Sequence, residues 1–303
     1  MSGLSWGAGD FAGGLISRYA STFTAVFTAQ VLGLVGMALL LPFSGEPVPS
    51  LQAVGFSAVA GVLGVCGLAC FYYALGRGTM GAIAPAAALI GAGGPVLLAI
   101  YNGEHVSTAR LVGIIVALIA VVLISMPGGT SSPTGKRRLR IDLGELPLVV
   151  LAGLGFAGFF VFIGHGTAEG GVLIPLAVVR AAGVTLVLIG FAYLMSRKRG
   201  PSLRGRASEV LGIARMRQWP GGPLLLVATF VVAGLGDLGG NVFFVVAQHA
   251  DLFSVAVVLS SLYPVITTTL AAVILRERLR PIQVAGVALA TLSVVLLSNA
   301  LSF

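Results

Sequence analysis

The most informative part of the sequence is LSSLYPVITTTLAAVILRERLRPIQVAGVALATLSVVLL, residues 259–297. It contains two apolar stretches, each long enough to cross the hydrocarbon core of a bilayer as an α-helix. Between them lies a short turn with glutamate, arginine and proline, which is typical of a connection at the membrane surface. The segment therefore predicts two consecutive membrane helices joined by a tight polar turn.

The rest of the chain has the same apolar character. Of its 303 residues, 57% are hydrophobic and 9% are charged, and the mean hydropathy is +1.04. Soluble domains contain about a quarter charged residues, so this composition predicts an all-α polytopic membrane protein. The first apolar stretch has no lysine or arginine before it, which favours a retained helix over a cleaved signal peptide. Ten stretches are long enough to span a bilayer, at residues 2–17, 22–42, 51–75, 80–102, 107–126, 146–165, 172–195, 222–247, 252–275 and 281–301.

Lysine and arginine are distributed asymmetrically in this ten-span arrangement. Sixteen of the 18 fall on one side, and the exceptions are Arg110 at the opposite surface and Arg180 within the seventh span. Because basic loops stay in the cytoplasm, we expect a multi-pass protein of the inner cell membrane with both termini outside. The formal net charge of +8 is thus explained by topology, and nucleic acid is not an expected partner.

An internal repeat divides the chain into two halves. A shift of 173 residues aligns 71–125 with 244–298 at twelve identical positions, including Glu104 with Glu277. Each half holds five spans, and an odd number inverts the second copy across the membrane. We therefore expect a first five-helix repeat at 1–126, a basic cytoplasmic linker at 127–145 and a second five-helix repeat at 146–303.

The repeated segments also carry a recognisable motif. Within 259–297, a serine-rich helix ends in Tyr-Pro, a glutamate-bearing turn follows and a glycine-containing helix comes last. A weaker version, LIGAGGPVLLAIYNGEHVSTARLVGIIVALIAVVL, occupies 89–123, with Gly91 where the second half has Pro264. In these features, and in WGAGDFAGGLISR at 6–18, the chain resembles the drug/metabolite transporter (DMT) superfamily and its EamA-type members.

The resemblance implies ten helices in two repeats, with the first four helices of each repeat surrounding a central cavity. It also implies a secondary active transporter rather than an enzyme, and we expect export of a small polar metabolite by alternating access. An amino acid or a related zwitterion is the expected substrate, and proton coupling and substrate exchange both remain open. The expected partners are this small molecule and the lipid bilayer, without a cofactor, and a monomer and a homodimer are both open.

Polar residues inside the predicted spans are the candidates for the substrate site. A charge at the bilayer centre costs at least about 2.5–3.5 kcal/mol on insertion scales, so such residues should face one another or water. Asp237, Asn241 and Gln248 follow helical spacing and predict a polar stripe on one helix face. The expected substrate-binding or coupling residues are Trp6, Asp10, Gln30, Arg180, Asp237, Asn241, Gln248, Ser260 and Tyr263.

Arg180 is the one basic residue deep in a predicted span, and Asp10 and Asp237 are its nearest candidate counter-ions. In one interpretation, Arg180 and an aspartate form a permanent ion pair that holds the two halves together. In the other, Arg180 binds an anionic group of the substrate while an aspartate takes an ammonium group or a coupling proton. Our sequence-based hypothesis assigns that proton to Asp237.

Three residues are candidates for a hinge, namely Gly91, Pro95 and Pro264. Each proline removes a backbone donor from its predicted helix, which favours a kink. Kinks at comparable places in the two repeats would suit hinges that open and close the cavity towards each side of the membrane. A static bend is the alternative.

Two other protein classes fit parts of the sequence. The G-x-G-D motifs at 7–10 and 234–237 resemble those of intramembrane aspartyl proteases, but the Tyr-Asp and Pro-Ala-Leu motifs of that family are absent. A channel or a structural membrane protein is a further alternative. The two cysteines and three scattered histidines predict no metal site.

Overall fold

The computed structural model describes residues 1–77, 80–104, 106–125, 145–197, 202–250, 253–275 and 281–299, and regular structure in these residues is entirely helical. Glu277 and the predicted linker before Glu145 lie outside them. The helices are α1 (Ser2–Tyr19), α2 (Thr22–Leu40), α3 (Leu51–Arg77), α4 (Met80–Tyr101), α5 (Thr108–Ser125), α6 (Leu146–Gly166), α7 (Leu173–Arg197), α8 (Leu203–Leu211), α9 (Ile213–Met216), α10 (Gly222–Ala250), α11 (Phe253–Ser260), α12 (Tyr263–Ile274) and α13 (Pro281–Asn299).

Seven helical segments in the described part of the chain are long and apolar enough to cross a membrane. They are α2 with the short 3-10 turn that follows it, α3, α4, α6, α7, α10, and α11 together with α12. The apolar parts of α5 and α13 are shorter, and α1 carries Asp10 and Arg18 within 18 residues. The chain is therefore a polytopic helical membrane protein, and the number of ten spans remains a prediction.

Glycines explain how α1 packs at the centre of the bundle. A Cβ at Gly9 would lie 3.0 Å from the backbone nitrogen of Asp237, and one at Gly7 would lie 2.7 Å from the carbonyl oxygen of Tyr263. A Cβ at Gly13 would overlap the ring of Tyr72. Because α1 has no side chain at these positions, α10, α12 and α3 all approach its backbone closely.

The helix α6 packs on α3 in the way that α1 packs on α10. A Cβ at Gly155 of α6 would lie 2.6 Å from the Cα of Gly67 on α3, and a Cβ at Gly236 of α10 would lie 2.8 Å from the Cα of Gly9 on α1. Each crossing therefore brings two glycine backbones into direct contact, which is the closest approach that two helices achieve.

Two further helix pairs make reciprocal contacts. Gly113 of α5 packs on Leu297 of α13, while Gly286 of α13 packs on Ile124 of α5. Both the two glycines and the two apolar residues are 173 positions apart, which is the shift found in the sequence. The lower-numbered residue of α5 meets the higher-numbered residue of α13, and the higher-numbered residue of α5 meets the lower-numbered one, so these helices run antiparallel. A second reciprocal pair joins α2 and α7, where Gly33 contacts Arg180 and Gly183 contacts Gln30. Here the two glycines and the two polar residues are each 150 positions apart.

The two predicted kinks differ in the structure. Helix α4 continues through Pro95, whereas the ninth predicted span is interrupted after Ser260 and resumes at Tyr263. Pro264 lies in the first turn of α12, where its missing N–H group is tolerated. The break thus lies directly before the Tyr-Pro pair, in the middle of the apolar segment.

The two ends of the bundle carry opposite charge. At one end, the Glu46 carboxylate accepts hydrogen bonds from the backbone N–H groups of Val172, Leu173 and Ile174 at the start of α7. At this same acidic end, hydrogen bonds from the Ser50 side chain and backbone lower the pKa of the exposed Glu169 carboxyl. The opposite, basic end carries arginines that include Arg18, Arg77, Arg197 and Arg215. This asymmetry agrees with the positive-inside pattern, and the orientation in the membrane remains a prediction.

Candidate functional site

A central cavity of about 70 Å³ lies among α1, α2, α3, α4, α6, α7, α10 and the break between α11 and α12. This volume accommodates several water molecules. The walls are formed by Trp6, Asp10, Gln30, Gly61, Gly64, Val65, Leu68, Ala88, Gly91, Phe156, Phe159, Phe160, Val179, Arg180, Asp237, Asn241, Ser261 and Tyr263. Both halves of the chain contribute, so the cavity lies at their interface.

An ion pair forms the polar side of the central cavity. The Nη1 atom of Arg180 on α7 donates to Oδ2 of Asp237 on α10 over 2.5 Å. The same nitrogen lies 3.5 Å from Oε1 of Gln30, and Asn241 Nδ2 donates to the backbone carbonyl of Asp237 over 2.8 Å. Because Arg180 is only 2% exposed, its charge is neutralised by a protein partner rather than by bulk water.

Several donors at this wall are not used by the protein. The Nε and Nη2 atoms of Arg180 are buried and have no hydrogen-bond partner among the described residues, and the same holds for the hydroxyls of Ser261 and Tyr263. Buried polar groups are normally paired, with protein, water or ligand. The wall therefore offers a guanidinium edge and two hydroxyls to an incoming molecule.

Asp10 is the second acidic group in the central cavity. It is buried on α1, and it makes no hydrogen bond or ion pair within the described part of the chain. Asp10 and Asp237 are close enough for their charges to interact, because Gly9 and Gly236 bring α1 and α10 together. Arg180 pairs with Asp237, so Asp10 is the carboxylate that is left for a cation or a proton.

Aromatic rings also line the central cavity. The centroid of the Trp6 ring lies 6.5 Å from that of Phe159 and 5.7 Å from that of Phe160. Behind them, Phe244 lies 4.8 Å from Phe160. The rings of Trp6, Phe159 and Phe160 give the cavity an apolar wall in addition to the charged one. An apolar lining with a few charged groups is typical of sites for small amphipathic ligands.

Most of the predicted site residues meet at the central cavity, namely Trp6, Asp10, Gln30, Gly91, Arg180, Asp237, Asn241 and Tyr263. Gln248 and Pro95 line a different cavity of about 340 Å³ at the acidic end, where Gln248 Nε2 donates to Thr167 Oγ1 over 2.5 Å. Ser260 and Pro264 are buried beside the helix break, and neither lines the central cavity.

Sequence reasoning did not identify Ser261 or the phenylalanines of α6 as wall residues. Ser261 lies in the helix break, and Phe156, Phe159 and Phe160 belong to the run GLGFAGFFVF at 153–162. The only available signal was the concentration of aromatic residues in one span. Among the described residues, no group of three or more His, Cys, Asp and Glu side chains comes together as a metal site.

Comparison with known proteins assigns the family. The model of the EamA-like transporter family matches residues 1–126 and 144–299. The chain belongs to the EamA-like transporter family. No curated protein matches the chain at a significant level. A solved structure, described only as a crystal structure of a protein, is 15% identical, covers 96% of this chain and 98% of its own, and has a TM-score of 0.57. At this identity, the likeness concerns the fold.

Membership of the EamA-like family confirms the resemblance seen in the sequence. The family lies within the DMT superfamily of membrane transporters, which are generally not enzymes. The two G-x-G-D motifs do lie side by side, but Asp237 is paired with Arg180. The family and this pairing both argue against the protease alternative.

Proposed function

We propose that this EamA-like transporter is a secondary active transporter that exports a small zwitterionic metabolite, such as an amino acid, by alternating access. The observation that carries the proposal is the central cavity, where unpaired N–H groups of Arg180 and the unpaired carboxylate of Asp10 share one small space. A zwitterion presents one anionic and one cationic group, and it therefore satisfies both.

The charges and the apolar wall define how such a molecule binds. The substrate carboxylate accepts from Nη2 of Arg180, and the hydroxyls of Ser261 and Tyr263 supply further donors. The substrate ammonium group faces Asp10. The remainder of the molecule packs against Trp6 and the α6 phenylalanines, so apolar side chains are favoured over charged ones.

Alternating access rests on the relation between the two halves. The reciprocal contacts of α5 with α13, and of α2 with α7, support an inverted repeat, because related residues exchange roles across each interface. A discontinuous helix beside a midplane site is a recurring feature of transporters with inverted repeats. The break at Ser261 and Leu262 is therefore our preferred hinge in the second half, with Gly91 as the cavity residue of the first.

Because Asp237 is paired with Arg180, we assign the coupling proton to Asp10 rather than to Asp237. Asp237 and Arg180 neutralise each other, whereas Asp10 needs a cation whenever the cavity is closed to water. The same carboxylate then holds either the substrate ammonium or a proton. For each neutral zwitterion that is exported, one proton enters the cell. The exchange therefore moves one net positive charge inwards.

A ligand screen followed by transport tests the proposal. Purified protein is heated with metabolite sets that comprise an amino acid, the amine that lacks its carboxylate and the acid that lacks its ammonium group. We expect the zwitterion to raise the unfolding temperature most, and to be transported saturably in proteoliposomes. Equal stabilisation by all three analogues, or flux that never saturates, would instead favour a channel or a structural role.

A further inference from the structure

A third cavity lies at the basic end of the bundle, apart from the central cavity and from the one at the acidic end. It has a volume of about 290 Å³ and lies between the ends of α1 and α3, the start of α2 and the short helix α9. Arg18, Arg77 and Arg215 line it, and none of its described lining residues is acidic. Three guanidinium groups from three helices thus share one recess.

Helix ends and an aromatic ring stabilise the arginines of this recess locally. Arg18 and Arg77 lie in the last turns of α1 and α3, where a positive charge interacts favourably with the helix dipole. The Arg77 guanidinium also stacks on the Tyr73 ring at 4.2 Å. Neither Arg77 nor Arg215 forms an ion pair with a described residue. Protein carboxylates of the described residues therefore do not balance the charges of Arg77 and Arg215.

Packing brings Arg215 to this recess. Gly212 has a φ of +69°, a conformation that favours glycine, and it packs directly on the carbonyl of Ala20. Beside it, Thr24 Oγ1 donates to the carbonyl of Leu211 over 2.7 Å. These contacts hold the corner between α8 and α9 against the turn between α1 and α2, so the position of Arg215 is fixed by the fold.

The start of α2 adds further positive potential. Ser21 caps this helix by accepting from the Thr24 backbone N–H over 3.0 Å, and Ser21 and Thr22 both line the recess. The N-terminus of a helix carries a partial positive charge that favours anions. Arginines, hydroxyls and a helix start therefore all present donors to the same space.

We propose that this basic-end cavity binds an anionic phosphate group, either free in solution or in the headgroup of an acidic phospholipid. Arginine forms paired hydrogen bonds with phosphate oxygens, and a doubly charged phosphate offsets the repulsion between the guanidinium groups of Arg77 and Arg215. The neighbouring pair of Tyr19 and Trp219, with ring centroids 5.5 Å apart, is typical of the membrane interface. Binding joins α1, α3 and α9 at the basic end.

The test uses the purified full chain and two probes at matched ionic strength. Inorganic phosphate is titrated against chloride, and dihexanoyl phosphatidic acid against dihexanoyl phosphatidylcholine, while the unfolding temperature is followed. We expect saturable stabilisation by at least one phosphate probe. Stabilisation by phosphatidic acid alone identifies a lipid headgroup as the source, and stabilisation by inorganic phosphate alone identifies a soluble one.

The double variant Arg77→Gln/Arg215→Gln should bind the effective probe about tenfold more weakly or worse, which corresponds to about 1.4 kcal/mol. Arg197→Gln is the matched control, because Arg197 also stacks on a tyrosine four residues earlier but lies outside the cavity. If the double variant does not fold, the single variant Arg215→Gln is titrated in its place, because Arg215 is exposed and its replacement should leave the fold intact. Absence of stabilisation by both probes, or equal responses of wild type and variants, would overturn the proposal.

Discussion

Arg180 and Asp237 form a buried ion pair that joins α7 to α10, with 2.5 Å between Nη1 and Oδ2. Each of these helices also contacts the first half of the chain, since Arg180 packs on Gly33 of α2 and Gly236 packs on Gly9 of α1. The pair thus lies where both halves meet. It leaves Asp10 as the carboxylate without a protein cation among the described residues.

Removing one member of this pair should destabilise the protein by about 3–5 kcal/mol, because an uncompensated charge stays in the membrane interior. Asp237→Asn and Arg180→Gln are each compared with the double variant by reversible unfolding of purified protein. We expect the double variant to be more stable than either single variant. Additive losses would contradict a direct pairing.

An added side chain at the glycine crossing of α3 and α6 should destabilise the protein. Gly155→Ala places a Cβ 2.6 Å from the Cα of Gly67, so the helices must separate, at a cost of about 1–3 kcal/mol. Gly55→Ala in α3 is the control, because a Cβ there meets nothing within 4 Å and should stabilise the helix by about 0.5–1 kcal/mol. Equal stabilities of the two variants, measured by thermal unfolding, would refute this packing.

Glu169 should contribute a pH-dependent stabilisation at the acidic end. Hydrogen bonds from Ser50 depress the pKa of this carboxyl in the folded protein below its ordinary value of 4.5. The contribution is complete above the unfolded pKa and is lost as the pH falls through the folded pKa. Glu169→Gln should therefore unfold slightly earlier than wild type at pH 7, and this difference should shrink below pH 4.5. A constant difference would show that ionisation of Glu169 is irrelevant.

Both termini should lie outside the cell membrane. The basic end carries most of the arginines in the described part of the chain, and sixteen of the 18 lysines and arginines lie on one side of the predicted topology. Alkaline phosphatase fused to the C-terminus should be active, and a fluorescent protein that folds only in the cytoplasm should be dark. The reverse pattern would overturn the orientation or the number of spans.

The sequence predicted the helices and much of the cavity because both depend on local patterns. Asp237 and Asn241 line the central cavity as helical spacing requires, whereas Gln248 lies seven residues beyond Asn241, about 10 Å further along the helix. Helical spacing predicts which face of a helix a residue lies on, but not which cavity it reaches along the length of that helix. Phe159 and Phe160 were missed because lipid and a cavity wall both accept apolar residues.

Two other features depended on tertiary packing. The choice of Asp237 over Asp10 as the partner of Arg180 follows from how α7 and α10 are rotated, which no local pattern specifies. The break before Tyr263 interrupts the helical register, so Ser261 rather than Ser260 lines the central cavity. Pro264 signalled an irregularity in this span but not which neighbour would line the cavity.

The most direct test of the account is substrate transport driven by an imposed pH gradient in proteoliposomes, compared for wild type, Asp10→Asn and Asp10→Glu. The substrate is a zwitterion found in the ligand screen, and its flux is recorded together with the proton flux. We predict one proton moved against each substrate molecule in wild type, no gradient-driven transport in Asp10→Asn and partial transport in Asp10→Glu. Gradient-driven transport by Asp10→Asn at the wild-type rate would contradict the central claim that Asp10 holds substrate and proton in turn.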